Sequence, residues 1–108
     1  MVKNKDYEHD AVCIRVADFF KKQGLDVCLE VPLPLGRGAV DVAVFGVRNK
    51  YIEVKSHPTS LNQRGLQKQF NRYQEAFPGQ DYFVAFPLSD SQDVAIINYL
   101  TKEKRTIS

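Results

Sequence analysis

The chain has 108 residues, enough for one domain, and at 44% hydrophobic and 11% aromatic it can bury one modest core and is not disordered by composition. Fifteen Lys and Arg against 13 Asp and Glu leave a formal charge of +2, too little to hold nucleic acid by bulk charge, so a polyanion site must come from local clustering. Two cysteines without a CxxC or Cys/His cluster argue against zinc, a polar amino terminus against a signal peptide, and the lack of a long apolar run against a membrane span, so an intracellular protein is expected.

In chain order, residues 6–23 have helical spacing, with Tyr7, Ala11, Ile14 and Ala17 beside Val12, Phe19 and Phe20 on a broad apolar face. Asp6 is a candidate cap and Gly24 a natural stop. Residues 26–31 are expected as a strand, and Pro32 to Gly38 as a loop, rigid at its start and flexible at its end. Cys13 and Cys28 both have apolar neighbours and are expected as buried free thiols, with a disulfide between them as the alternative. Residues 39–45 and 51–55 alternate as strands around a turn at Gly46–Lys50. A second helix is expected over 62–77, closed by Phe77-Pro78-Gly79, and a central strand over 81–86, which is apolar after Asp81. Residues 90–100 are expected as a third helix capped by Ser89 or Asp90, with a frayed polar tail after Leu100. The order αβββαβα predicts an antiparallel meander, a crossover through the second helix, and helices on both faces of the sheet.

Within that meander, Asp41 and the triplet Glu53-Val54-Lys55 place charge inside apolar strands. Such charge costs free energy unless it is paired, solvated or bound to a metal. Residues two apart on a strand share a face, so Glu53 and Lys55 point the same way, and a hairpin brings Asp41 toward them. Two carboxylates suit a hard divalent cation such as magnesium. Such an ion can hold a phosphodiester and lower the pKa of a water. An ammonium beside it can orient that water or stabilise transition-state charge.

This element order, with Asp41, Glu53 and Lys55 on the second and third strands, resembles the PD-(D/E)xK nuclease superfamily. That group includes restriction endonucleases, archaeal Holliday-junction resolvases, RecB-type nuclease domains and VRR-NUC domains. The likeness spans roughly residues 7–86, and it departs from the name motif in having Val40, not proline, before Asp41. Gln69-Phe70-Asn71-Arg72-Tyr73 matches a Q-x-x-x-Y pattern that RecB-like nucleases carry after the lysine. The resemblance implies a restriction-endonuclease-like α/β fold with an αβββαβ core, a mixed four-stranded sheet flanked by helices, over the whole of 1–108. It implies a metal-dependent DNA nuclease in which Asp41, Glu53 and the backbone carbonyl of Val54 hold Mg2+ or Mn2+. Lys55 would handle the attacking water, Gln69 and Tyr73 would serve the site, and a 5′-phosphate would remain. Resolvases carry a first-helix glutamate that completes the metal site, which points to Glu8; its neighbours His9 and Asp10 are the alternatives for that role, though they face elsewhere on the helix.

Several surface residues join this expectation. Glu30 either enters the site from the first strand or pairs with a surface lysine. Arg37 sits between two glycines, Ser56 and His57 follow Lys55, and Arg64, Lys68 and Arg72 step by four along the second helix, with Asn62 and Gln63 near them. Contacts of this type position DNA without reading its sequence. A chain this short leaves no room for a recognition domain, so structure-directed cutting of branched, flap or single-stranded DNA is expected, by a homodimer. A strict Holliday-junction resolvase, a non-catalytic nucleic-acid-binding module on the same fold, and a structural ion-pair cluster are the competing readings.

Overall fold

A computed structural model describes residues 4–88 and 92–108, with side chains from Glu8 onward. The cap expected of Asp6, the core role of Tyr7, and a cap at Ser89 or Asp90 lie outside the described residues. The elements are α1 (Asn4–Lys21), β1 (Asp26–Pro32), a 3-10 turn at Pro34–Gly36, β2 (Ala39–Phe45), β3 (Lys50–Val54), α2 (Arg64–Ala76), β4 (Asp81–Pro87), β5 (Val94–Asn98) and β6 (Lys104–Ile107). They form an α/β fold around one six-stranded sheet in the order β1-β2-β3-β4-β5-β6. Among the described residues only β3 and β4 run parallel, joined through α2; the other neighbouring pairs are antiparallel.

The expected four-stranded sheet and third helix are corrected here. Residues 94–98 are a strand, and the supposed frayed tail supplies another. Val-Ala-Ile-Ile is too short an apolar run for its period to separate helix from strand, and its β-branched content favours the strand. The hairpin turn is built by Asn98, whose Oδ1 accepts from the N–H groups of Leu100 (2.9 Å) and Thr101 (3.0 Å). β6 then carries three exposed residues before Ile107, which is buried opposite Val94. Replacing this side chain leaves a cavity, so Ile107→Ala is expected to lower unfolding free energy by about 2–4 kcal/mol in a denaturant titration. A loss below about 0.5 kcal/mol, the range of ordinary surface substitutions, would mean the last strand does not close the core.

The sheet buries a layer on each face. Against α1 lie Val42, Val44, Ile52, Val54, Ala85, Val94, Ile96 and Ile107, packed on Val12, Cys13, Val16 and Phe20. Against α2 lie Val40, Ala43, Tyr51, Tyr82, Val84 and Phe86, packed on Leu66, Phe70 and Tyr73. The apolar face expected for α1 is displaced: Ala11 and Ile14 are exposed, while the i, i+4, i+7 set Val12, Cys13, Val16, Ala17 and Phe20 faces the sheet. Gly24 ends α1 with φ +82, a backbone that a side chain would strain. Cys13 is a buried free thiol as expected, but Cys28 is exposed, because β1 is an edge strand. Among the described residues no helix is long and apolar enough to cross a membrane.

Candidate active site

Asp41 owes its position to a break in strand pairing. The β1–β2 ladder joins Leu29 to Val42 and Val31 to Val40 but skips the pair between them, and Glu30 there has φ +53. The β2–β3 ladder ends at Val42–Ile52. Beyond it the Asp41 side chain takes the place of a ladder carbonyl, its Oδ2 accepting from the Val54 N–H at 2.8 Å. The carboxylate is thus anchored in the sheet just beyond the last rung of the β2–β3 ladder.

Glu53 lies on the α2 side of β3, and its side chain is only 12% exposed. The Tyr73 hydroxyl, one of the most deeply buried in the molecule, donates to Glu53 Oε1 at 2.5 Å. Lys55 Nζ stands 3.4 Å from Glu53 Oε2 and stays partly solvated. Burial and the negative charge of Asp41 push the Glu53 carboxyl up to about 7, against the opposing pull of Tyr73 and Lys55. Burial first, and the charge of Glu53 next, hold the Tyr73 phenol far above its ordinary range, while the Gln69 amide pulls the other way. Tyr73 remains a proton donor at any working pH. It is therefore no plain core tyrosine, and Gln69, half-buried one turn earlier, braces it.

The first helix contributes His9. Its Nε2 is 3.4 Å from Asp41 Oδ2 and its Nδ1 3.3 Å from Asp10 Oδ1. Partial burial works against the imidazolium, but the bonds and charges of Asp10 and Asp41 outweigh it, and the His9 pKa is raised. Helix phase favours His9, the alternative, over Glu8: His9 shares a stripe with Cys13, Val16 and Phe20, the face that packs on the sheet. Glu8, the glutamate expected there, is exposed and lines a neighbouring cleft with Ser56 and His57. Glu30 and Asp10 line a cavity of about 310 Å³ beside Asp41. Cys13 faces it too, its thiol pushed up to about 12 by burial and the charge of Asp41, and so inert.

The remaining predicted residues are distributed around this centre. Val54 gives its N–H to Asp41 and its side chain to the core. Ser56 is buried and His57 exposed. Arg64, Lys68 and Arg72 are exposed along the outer side of α2. Arg37 is tied to Glu75 at 3.1 Å, linking its loop to α2 rather than standing free. Gln63 is the α2 cap, accepting from the Leu66 N–H at 2.6 Å.

Among the described residues no group of three or more His, Cys, Asp or Glu side chains is placed to hold a metal ion. What converges is two carboxylates, one of them reluctant to ionise, with an ammonium and an imidazole against them. Like-charged acids held together in this way fit a divalent cation, which would replace the proton that Glu53 retains. Tyr73→Phe removes the hydroxyl that favours ionised Glu53, so Mn2+ affinity measured by calorimetry should fall about tenfold. Unchanged affinity would show that Tyr73 serves only the core. Comparison with family models, with curated proteins and with solved structures returns no match for this chain.

Proposed function

We propose that the chain is a metal-dependent DNA nuclease, hydrolysing phosphodiester bonds where the shape of the DNA, not its sequence, presents them. The observation that carries this reading is the Asp41–Glu53–Lys55 cluster, with Glu53 buried and braced by Tyr73, set where the β2–β3 ladder ends. Its resemblance to the PD-(D/E)xK superfamily, and to RecB-like members through Gln69 and Tyr73, supports the same reaction. A restriction-endonuclease-like αβββαβ core, elaborated by β5 and β6, is part of the proposal.

A bound magnesium or manganese ion would neutralise phosphate charge and lower the pKa of a water. Asp41, Glu53 and the Val54 carbonyl would hold it, with His9 rather than Glu8 on the flank of Asp41. Tyr73 and Gln69 keep the Glu53 carboxylate in place. Lys55 orients the water for in-line attack and shields charge as the water oxygen bonds to phosphorus and the bond to the 3′ oxygen breaks. The proton lost by the water goes to solvent, and the products are a 3′-hydroxyl and a 5′-phosphate. Arg64, Lys68 and Arg72 form the exposed basic stripe available to flanking duplex. Cutting both strands of a junction needs two such sites, so a homodimer belongs to this reading.

The test is cleavage of labelled junction, flap, single-stranded and duplex DNA with magnesium, manganese or EDTA. Cutting that needs metal and stops in EDTA supports the proposal, and a preference for four-way junctions would narrow it to a resolvase. Binding without cutting on every substrate would replace it with a nucleic-acid-binding module.

A further inference from the structure

A cleft of about 510 Å³, the size of a small-ligand site, opens at the carboxyl ends of the parallel strands β3 and β4. Ligands of open α/β sheets bind at such strand ends. The cleft borders the proposed catalytic cluster from two elements, since Glu8 in its wall precedes His9 and Ser56 in its wall follows Lys55. Its floor is apolar, with Val12, Leu88 and Val94. Arg15 and His57 supply donors at its sides, and Arg15 is half-buried with no hydrogen bond or ion pair among the described residues. The opposite flank of α1 differs. There the cavity beside Asp41 has Asp10 and Glu30 in its wall and repels a phosphodiester. A strand crossing the carboxylates is therefore steered toward Arg15.

We infer that this cleft is the subsite for the nucleotide adjoining the scissile phosphate, with Arg15 on that nucleotide's own phosphate and the apolar floor under its base and sugar. The assignment rests on the nuclease reading for its substrate, but not for its test. Arg15 is chosen over Glu8 as the anchor because a guanidinium grips phosphate oxygens with paired donors, whereas Glu8 at the rim only excludes a second phosphate. One nucleotide fits the volume, which favours a strand that is unpaired next to the cut.

The test measures binding of a labelled single-stranded oligonucleotide in EDTA across a salt series, with cleavage kinetics in magnesium alongside. Arg15→Ala should weaken binding about tenfold and flatten the slope of log affinity against log salt by about 0.7, the value of one single-strand phosphate. Ala11→Trp, which fills the cleft from its exposed wall without changing charge, should weaken binding comparably and leave the slope intact. Lys21→Ala, an exposed charge loss at the far end of α1, should do neither. In cleavage, KM should rise with kcat kept within about twofold, because an interaction that holds the ground and transition states equally acts on KM alone. Wild-type binding by both Arg15→Ala and Ala11→Trp overturns the subsite even if the protein cuts DNA. Weakened binding in both, in a protein that cuts no DNA, keeps the subsite and removes the nuclease reading.

Discussion

Lys55→Ala should reduce metal-dependent DNA cleavage by about 100- to 1,000-fold, the usual cost of removing one preorganised group aimed at developing charge. The loss should fall on kcat, since the Lys55 ammonium is held by Glu53 at 3.4 Å rather than by any surface that binds DNA at a distance. Folding should survive. Lys55 is partly solvated, and without it the Glu53 carboxyl, already pushed up to about 7, keeps its proton rather than standing as an unpaired buried charge. Single-turnover cleavage beside a thermal melt separates the two effects. A variant that keeps cutting within tenfold of wild type would remove Lys55 from the chemistry, and one that unfolds would make it a structural cation.

The second large effect concerns stability without metal. Glu53 titrates near 7 in the folded protein and near 4.5 when unfolded. The folded state therefore holds its proton more tightly, and the resulting stabilisation is complete below pH 4.5 and lost as pH rises through 7. Above 7 the wild type carries a buried charge beside Asp41, whereas Glu53→Gln carries none and still offers an oxygen to Tyr73. The variant should gain stability relative to wild type between pH 4.5 and 7, levelling above that at about 3 kcal/mol. Adding Mn2+ at pH 7.5 should raise the wild-type melting temperature and leave the variant unmoved. A variant less stable than wild type at pH 8 would make the cluster a structural ion-pair network. Asp41→Ala is the poorer probe, because it also orphans the Val54 N–H and destabilises for that reason.

The elements from α1 to β4 were legible because their signals are local: alternation in 39–45 and 51–55, Gly24 as a stop, and an apolar run at 82–86. The acidic pair with its lysine was legible for a related reason, as charge that interrupts an apolar pattern. What escaped depends on tertiary context. The run at 94–97 is too short to reveal its period, and β6 looks solvated because as an edge strand it buries only Ile107. An α1 face that includes Ile14, which is exposed, is rotated from the true one, and that rotation ranks Glu8 ahead of His9. Arg37 looked free for phosphate, and its engagement with Glu75 spans 38 positions that no local rule connects.

The bond from the Val54 N–H to Asp41 Oδ2 has a spectroscopic consequence. Most sheet amides sense only their strand neighbours, but this one is polarised by a carboxylate proposed to hold metal. Charge drawn from that oxygen by an incoming cation weakens its pull on the proton. The Val54 amide resonance is thereby a resident indicator of occupancy, readable in a nitrogen–proton correlation spectrum without a substrate or a turnover.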